Sequence, residues 1–356
     1  LLMPIFIRLM EKYKILDPSG GRKIHKGYTA HLGGVVIFFA FAIAMFSSVL
    51  QMVDKVNMIQ LLAFIILLSI VVVLGIRDDM NSLSPRVKLF CEIVVGFLFC
   101  YLDIRLYSLY GLFGIGELPI WLSYLLTIAL IIVVCNAYNL IDGIDGQAGM
   151  QALAVFIFLA GFLMHLICTT NVLKLDSFFA NANFWMIAFV AIIGSIVGFL
   201  VFNLQPAKIF MADTGSLFIG TLIALSIIMS MNYSGADPIL IYDYEIKAKI
   251  LVFPMFFFLP FADTLRVFIS RIKRGKSPFL ADKTHIHHFL LRTGYSHQRT
   301  TITTFIISVI VSLISIIVAF LISDLYYILY IILMWVTYVF VLRFTVQKKI
   351  AKLKQD

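Results

Sequence analysis

Residues 57–76, NMIQLLAFIILLSIVVVLGI, form an apolar run that contains no charged side chain. An α-helix rises about 1.5 Å per residue, so a run of this length would cross the roughly 30 Å hydrocarbon core of a membrane. A strand of a membrane barrel would instead alternate apolar and polar side chains over about ten positions. The run therefore predicts a membrane-spanning helix.

Comparable apolar runs recur along the whole chain of 356 residues, of which 62% are hydrophobic and 13% are charged. This pattern predicts an all-α fold, a polytopic membrane helix bundle that forms one integral-membrane domain over residues 1–356. The apolar start, LLMPIFIRLM, is interpreted as the end of a truncated first span, which would give eleven helices in the intact protein. The ten full spans are predicted near residues 31–51, 57–76, 87–103, 118–135, 149–168, 183–202, 215–231, 248–268, 302–322 and 325–342.

The net charge of +9 is distributed unevenly over the predicted loops. When the loops are assigned alternately to the two sides, most of the 28 Lys and Arg residues fall on one side, together with the C-terminus. Positive loops are retained in the cytoplasm, so this side is predicted to be cytoplasmic. Membrane topology thus explains the basic excess, and no nucleic-acid partner is expected.

Five polar clusters lie on the same predicted side of the membrane. Ionisable groups at a membrane edge are costly enough to be functional by default, so we expect these clusters to form one active site. They occupy the loops at residues 11–30, 77–88, 136–148, 203–214 and 266–299.

Adjacent carboxylates, Asp78 and Asp79, occur in the second cluster, GIRDDMNSLSPRVK. Such a pair could simply end a helix in water. Like-charge proximity also raises one pKa towards neutrality, which would place a base beside an ionised partner. Lys88, at the end of the same cluster, could neutralise the pair.

The third cluster, NAYNLIDGIDG, places Asn139, Asp142 and Asp145 at intervals of three residues. Amide and carboxylate groups at this spacing suit hydrogen bonding to a nucleoside base or a sugar. Gly143 permits a tight turn or a close approach of the backbone to a ligand.

The fourth cluster, FNLQPAKIFMADTGS, begins near Asn203 and includes Asp213, just ahead of an apolar run. Taken alone, an Asp in this position is best interpreted as a helix N-cap. The same helix start could instead supply an oxygen ligand for Mg²⁺ beside backbone N–H groups that suit an anion.

The fifth cluster, DKTHIHHFL (282–290), contains three of the seven histidines. It could form a metal site, a proton relay or a set of cationic donors for a phosphorylated ligand. A continuous helix would place His285 and His288 on one face and turn His287 away, so all three could not bind one metal ion. Phosphate donors are therefore favoured, and Arg22, Lys23 and His25 in the first cluster would extend this cationic lining.

An ion-coupled transporter is the alternative from a different class of protein. Such a protein would also carry acids at membrane level and a helix broken by prolines, as at Pro254 and Pro260. Transporters place their sites near the bilayer midplane, however, and here Asp263 is the one clear candidate for a buried carboxylate.

Five ordered motifs, RKIH…GG, DD…L…K, NxxNxxDGIDG, FNxxPAKIFMxDxGS and HIHH, cover nearly the whole chain. In these motifs the chain resembles the polyprenyl-phosphate N-acetylhexosamine-1-phosphate transferases. The resemblance implies transfer of a sugar 1-phosphate from a UDP-N-acetylhexosamine to undecaprenyl phosphate, with release of UMP. UDP-GlcNAc is the favoured donor, and another UDP-sugar is the alternative. This reaction would be the first membrane step of bacterial cell-surface glycan synthesis.

The resemblance also implies a requirement for Mg²⁺ or Mn²⁺ and a multi-pass location in the bacterial inner membrane, and it leaves a homodimer open. By motif, Asp213 would be the principal metal ligand, while Asp78 and Asp79 would serve the lipid phosphate, one of them as a base. The substrate-binding residues would be Arg22, Lys23, His25, Lys88, Asn139, Asp142, Asp145, Asn203, His285, His287 and His288, with the histidines on the diphosphate. Two departures from the family pattern are Ala212, which replaces a frequent Gly, and Glu92, which replaces a frequent Gln.

Overall fold

A computed structural model of the protein describes residues 2–13, 16–17, 29–49, 55–169, 181–236, 240–241, 244–277 and 284–353. The predicted phosphate-binding residues Arg22, Lys23 and His25 lie outside the described residues, as does Asp282.

The described residues form thirteen α-helices, together with one short 3₁₀ helix (Leu112–Gly114) and four two-residue strands. The strands pair as two antiparallel ladders, β1 (Leu16–Asp17) with β2 (Thr29–Ala30) and β3 (Leu240–Ile241) with β4 (Tyr244–Glu245). The helices are α1 (Leu2–Tyr13), α2 (Gly33–Val49), α3 (Lys55–Met80), α4 (Pro85–Tyr101), α5 (Ile120–Ile141), α6 (Gln147–Thr169), α7 (Ala182–Asn203), α8 (Ala212–Ala236), α9 (Val252–Met255), α10 (Phe258–Lys273), α11 (Ile286–Arg292), α12 (His297–Leu321) and α13 (Asp324–Leu353).

Seven of the described helices, α3, α5, α6, α7, α8, α12 and α13, are long and apolar enough to cross a membrane. The predicted all-α membrane bundle is therefore confirmed. The other predicted spans coincide with shorter helices, so the count of ten full spans stays a prediction. The span predicted at 248–268 is divided between α9 and α10, because the helix is interrupted at Phe256 and Phe257, shortly after Pro254.

Helix α8 lies at the centre of the bundle and is the most buried of the seven apolar helices. It packs against α2, α3, α5 and α6. Glycines allow the closest of these approaches, since a Cβ atom on Gly34 would clash with the backbone of Gly215, and one on Gly75 would clash with Thr214. Small residues let membrane helices meet backbone to backbone in this way. The start of α8 is therefore held tightly between α2 and α3.

Successive helices reverse direction, which brings several chain segments to the same end of the bundle. The end of α3 and the start of α4 lie beside the start of α8, and the loop between α5 and α6 contacts the segment that follows α7. The described part of the first cluster joins them, because Phe210 N donates to Ala30 O and Gly33 N donates to Phe210 O. The polar clusters thus meet at one end of the molecule.

At the opposite end of the bundle, another carboxylate holds the chain segment that precedes α9. Asp324, in the first turn of α13, accepts hydrogen bonds from the backbone N–H groups of Lys249, Ile250 and Leu251. These bonds fix the chain just before α9.

Candidate active site

Asp213 lies in the first turn of α8, and side chains from two other helices hold its carboxylate. Asn139 Nδ2 donates to Oδ1 at 2.5 Å, and Lys88 Nζ donates to Oδ2 at 3.4 Å. Asn139 also donates to Ser216 Oγ at 2.7 Å, so its amide bridges two residues of α8. The Asp213 side chain remains 36% exposed, which leaves it accessible to a ligand.

Asp79 caps helix α8 although it belongs to helix α3. Its Oδ1 accepts from Asp213 N at 2.9 Å, while Oδ2 accepts from Thr214 N at 2.9 Å and Thr214 Oγ1 at 2.5 Å. The first N–H groups of a helix have no partner within the helix, and a side-chain oxygen that accepts from them stabilises the helix start. The contacts therefore give the capping role to Asp79 rather than to Asp213, whose carboxylate is left to other partners.

Asp78 and Lys88 form a nearly buried ion pair beside Asp213. Asp78 Oδ2 accepts from Lys88 Nζ at 2.9 Å, and Oδ1 accepts from Leu83 N at 2.7 Å. The Lys88 and Asp78 side chains are only 14% and 8% exposed, which shields their charges from water. One ammonium group thus bridges two carboxylates, from α3 and α8. Of the pair that Lys88 was predicted to neutralise, it bonds to Asp78, whereas Asp79 accepts from the backbone of α8.

Asn203 and Asp145 make contacts that hold the α5–α6 loop in place. Asn203 Oδ1 accepts from Gly146 N at 2.9 Å, and its Nδ2 donates to Ile209 O at 2.8 Å. Asp145 Oδ2 accepts from Ala207 N at 3.4 Å. Both side chains therefore connect the loop to the segment between α7 and α8. The substrate-binding roles of Asn203 and Asp145 stay predictions.

Asp142 follows directly after α5, among other acidic groups. Burial, together with the negative charges of Asp213, Asp79 and Asp145, raises the pKa of Asp142 to about 7. Near neutral pH the carboxyl is therefore protonated for part of the time. A bound cation would favour its ionised form, because opposite charges lower the pKa of a carboxyl group.

The three histidines lie close together at the start of helix α11. The helix begins at Ile286, so His285 has an extended conformation and precedes it. The rings of His285 and His287 are nearly parallel with centroids 5.9 Å apart, and the centroids of His287 and His288 are 4.2 Å apart. The prediction that His287 turns away from His285 is wrong, because it assumed a continuous helix through residue 285.

His287 is buried against the α5–α6 loop. A Cβ atom on Gly143 would clash with His287 Nε2, so the absence of a side chain at Gly143 makes room for the imidazole. Burial, reinforced by the neighbouring His288 and His285, lowers the pKa of His287 to about 3. In the free protein His287 is therefore neutral at physiological pH, and it can donate from only one ring nitrogen.

Two imidazole nitrogens, His285 Nε2 and His287 Nδ1, are buried without a hydrogen-bond partner in the described part of the chain. Buried polar atoms almost always have partners, so these two nitrogens are candidate positions for a hydrogen bond to a ligand or a bound water. The other ring nitrogen of His285, Nδ1, lies 2.9 Å from Asp263 Oδ2.

The donor set fits a divalent cation that is shared with a phosphate group. Within the described ranges, His, Cys, Asp and Glu side chains form no group of three that could hold a metal ion alone. Mg²⁺, however, typically uses only one or two protein carboxylates and takes its other ligands from substrate phosphates and water. Asp213, which is partly exposed, and Asp142, which lies near other acidic side chains, are carboxylates that could serve as such ligands.

Sequence reasoning missed three contributions to the site. Thr214 and Ser216 lie within the DTGS segment, but nothing local showed that they would bond to Asp79 and Asn139. Asp263 was considered only as a transporter carboxylate. Its position three residues before Arg266 was the available signal for a buried ion pair.

Comparisons with known proteins identify the family. The family model described as "Glycosyl transferase family 4" matches residues 61–231. A "Probable undecaprenyl-phosphate N-acetylglucosaminyl 1-phosphate transferase" of Bacillus subtilis (strain 168) is 30% identical over 315 residues, covering 86% of this chain and 78% of that protein.

Two more distant relatives have similar names. A "Decaprenyl-phosphate N-acetylglucosaminephosphotransferase" of Mycobacterium leprae is 28% identical and covers 80% of this chain and 72% of that protein. An "Undecaprenyl-phosphate alpha-N-acetylglucosaminyl 1-phosphate transferase" of Yersinia pestis is 24% identical over 82% of this chain and 73% of that protein. The chain therefore belongs to glycosyl transferase family 4, among its polyprenyl-phosphate N-acetylhexosamine-1-phosphate transferases.

Proposed function

We propose that the protein transfers GlcNAc 1-phosphate from UDP-GlcNAc to undecaprenyl phosphate and releases UMP. The reaction would take place at the cytoplasmic face of a bacterial inner membrane, as the first membrane step of cell-surface glycan synthesis. The family and the names of the relatives support this activity. The observation that carries it is the arrangement of Asp78, Lys88 and Asp213 at the end of the bundle where His287 contacts Gly143.

In the proposed reaction an oxygen of the lipid phosphate attacks the β-phosphorus of the UDP-sugar. The bond from that phosphorus to the bridging oxygen breaks, and UMP leaves with the bridging oxygen and its electron pair. Negative charge accumulates around the phosphoryl group, and catalysis of such transfers depends mainly on positioning and electrostatic stabilisation. Lys88 and the histidine cluster would supply part of this stabilisation from the protein.

The two adjacent aspartates are proposed to have different tasks. Both Asp79 oxygens already accept hydrogen bonds from the start of α8, so Asp79 would keep Asp213 in place. Asp78, paired with Lys88, would serve the lipid phosphate. A phosphate monoester has a second pKa of about 6 and is largely ionised at neutral pH, so a strong base is not required.

Asp213, whose carboxylate is partly exposed, would hold the divalent cation, Mg²⁺ or Mn²⁺. When bound, the cation would offset the negative charge of the phosphates. Asn139 would orient Asp213, because it donates directly to that carboxylate. The pKa of Asp142 is raised first by burial and further by the negative charges of Asp213, Asp79 and Asp145, which a bound cation would offset.

The donor is proposed to lie between the α5–α6 loop and the histidines. Asn139, Asp142 and Asp145 would contact the uridine or the sugar phosphate, and His285, His287 and His288 would bind the diphosphate. The two unpaired imidazole nitrogens support this placement. Arg22, Lys23 and His25, which lie outside the described residues, are proposed to add positive charge to the phosphate site.

The test is UMP release by the detergent-solubilised protein supplied with undecaprenyl phosphate, Mg²⁺ and a panel of UDP-sugars. We expect release with UDP-GlcNAc that depends on both the lipid and the cation. Release with a different UDP-sugar alone would keep the chemistry and change the donor. No release with any UDP-N-acetylhexosamine would contradict the proposed function.

A further inference from the structure

We propose that Asp263 is a positioning residue that fixes His285, and with it the histidine cluster, for binding the donor diphosphate. The inference rests on the proposed function and deepens it, because it assigns a task to a residue that none of the sequence motifs includes. Asp263 belongs to α10 and lies in the apolar run that precedes the histidine loop.

The carboxylate of Asp263 is fully buried and divides its bonds between two groups of partners. Oδ2 faces the histidine loop, where it lies 2.9 Å from His285 Nδ1 and accepts from Ile286 N at 3.1 Å. Oδ1 accepts from Arg266 at 2.6 and 3.1 Å and from Tyr338 OH at 2.8 Å. One oxygen therefore anchors the carboxylate to α10 and α13, and the other holds the loop.

Arg266 also contacts the chain on both sides of His285. Besides its bonds to Asp263, its guanidinium donates to Thr284 O at 2.5 Å and lies over the Phe289 ring at 5.1 Å. Asp263 and Arg266 thus contact the chain immediately before, at and after His285. This accounts for the extended conformation of His285, which breaks the helical continuity expected from the sequence.

The bond to Asp263 determines which nitrogen of His285 can meet a ligand. A carboxylate acceptor at Nδ1 keeps the proton on that nitrogen and leaves Nε2 as the ring nitrogen that is available to another partner. When Nε2 also carries a proton, it can donate to a phosphate oxygen. His285 Nε2 is buried and has no partner among the described residues, as a nitrogen reserved for a ligand would be.

A purely structural ion pair would not need this arrangement. Arg266 alone supplies two hydrogen bonds to Asp263, and Tyr338 supplies a third. The second oxygen is directed instead to His285, whose ring stacks on His287, and His287 contacts the loop of the third cluster at Gly143. The chain of contacts leads from the membrane helices to the proposed diphosphate site.

The test is steady-state UMP release by Asp263→Asn, with each substrate varied in turn. We expect the KM for UDP-GlcNAc to rise about tenfold, the size of effect that follows from loss of one charge-assisted hydrogen bond, while the KM for undecaprenyl phosphate stays within about twofold. Asp324→Asn is the matched control, since Asp324 also accepts several hydrogen bonds but is only partly buried and lies at the opposite end of the bundle. The control should keep both KM values.

A double variant separates positioning from general loosening of the fold. If Asp263 acts through His285, Asp263→Asn should add less than about twofold to the donor KM once His285 has been replaced in His285→Ala. If the two substitutions raised the donor KM by independent factors that multiply, the inference would be overturned. Equal increases in the KM for UDP-GlcNAc and the KM for undecaprenyl phosphate in Asp263→Asn would also overturn it. An inactive wild-type protein would instead contradict the proposed function, so the two failures are distinguishable.

A measurement on the wild-type protein covers the case in which Asp263→Asn does not fold. Histidine side chains labelled with ¹⁵N report which ring nitrogen carries a proton, and the His285 signals are assigned with His285→Gln. We expect a protonated Nδ1 in the free protein and a shifted Nε2 signal when UDP-GlcNAc is added. An unprotonated Nδ1, or an Nε2 signal that does not respond, would overturn the inference.

Discussion

At the scale of single residues, the site depends on which carboxylates are already occupied by protein partners. Asp79 is committed to the backbone of α8, whereas Asp213 is bonded to side chains and remains partly exposed. Sequence motifs alone do not separate Asp79 from Asp78, and they leave Asp213 open as a helix cap or a metal ligand. Their hydrogen bonds identify Asp79 as the cap of α8 and leave Asp213 as the carboxylate that a ligand can reach.

Asp213→Asn should abolish most of the cation-dependent activity without unfolding the protein. The amide keeps the size of the side chain and removes the negative charge, and loss of one key electrostatic group typically costs about 10²–10³ in kcat. Asp79 continues to cap α8, so we expect the Tm to change by no more than a few degrees. The measurement is UMP release across a Mg²⁺ titration, with the Tm as the control. Normal turnover in this variant would remove Asp213 from the catalytic set.

Ala212→Gly should stabilise the protein modestly. Ala212 has a φ of 58°, in the left-handed region, where a residue with a Cβ is less stable by about 1–2 kcal/mol. Glycine relieves this strain but loses more chain entropy on folding, about 0.5–1 kcal/mol, so a net gain between zero and about 1.5 kcal/mol is expected. A thermal-shift assay in detergent measures the change. Ala224→Gly, in the interior of the same helix, is the control and should lower the Tm.

At the scale of helices and loops, the sequence was informative about the apolar runs and much less so about their polar ends. The ten predicted segments coincide with helices because twenty apolar residues leave few alternatives in a membrane. The capping of α8 by Asp79 could not be predicted, because donor and acceptor are separated by 134 positions in the chain. The conformation of His285 was missed for the same reason, since Asp263 and Arg266 determine it from another helix.

Asp79→Ala should lower both stability and activity. Removal of an N-cap typically costs about 0.5–2 kcal/mol, and here the start of α8 carries Asp213. We expect a lower Tm together with a loss of UMP release that exceeds the loss of folded protein. Ser296→Ala is the matched control, because Ser296 caps α12 by accepting from Arg299 N at 3.2 Å. If both variants lost activity only in proportion to stability, Asp79 would have no special effect on Asp213.

Gly143→Ala should impair donor binding through His287. The added methyl group would clash with His287 Nε2, so the imidazole must move from its place. We expect the KM for UDP-GlcNAc to rise about tenfold, equivalent to about 1.4 kcal/mol, with little change in the KM for the lipid. Gly161→Ala is the control, since a Cβ on Gly161 meets open space. Unchanged donor affinity would place the diphosphate away from His287.

At the scale of the whole molecule, alternating helices bring distant polar clusters to one end of the bundle. This follows from the topology of a bundle with short loops and could be predicted from the spacing of the apolar runs. The pairing of individual acids with individual partners could not, because it depends on how the helices are rotated and packed. Asp145 and Asn203 illustrate the difference, since both lie at the predicted end yet bond to the protein itself.

The protein without divalent cations should lose stability as the pH rises from about 4 to about 7. The pKa of Asp142 is about 7 in the folded protein, and an unfolded Asp titrates near 3.9, so the folded state binds the extra proton in this interval. Above about pH 7 the Asp142 carboxyl is ionised in both the folded and the unfolded protein, so the stability already lost is not regained and no longer changes with pH through this group. Thermal melts across this pH range, with and without Mg²⁺, measure the effect. Asp142→Asn should flatten the slope, and an equal slope in that variant would contradict the assignment.

The contacts between Gly34 and Gly215 and between Gly75 and Thr214 hold the first turn of α8, which carries Asp213, through main-chain atoms. This packing cannot be remodelled by exchanging side chains, because any larger residue at Gly34 or Gly75 would force α2 or α3 away from α8. Mutations at these glycines would therefore displace Asp213 only by disrupting the bundle itself. Resistance to an inhibitor that binds Asp213 should arise instead in the surrounding loops.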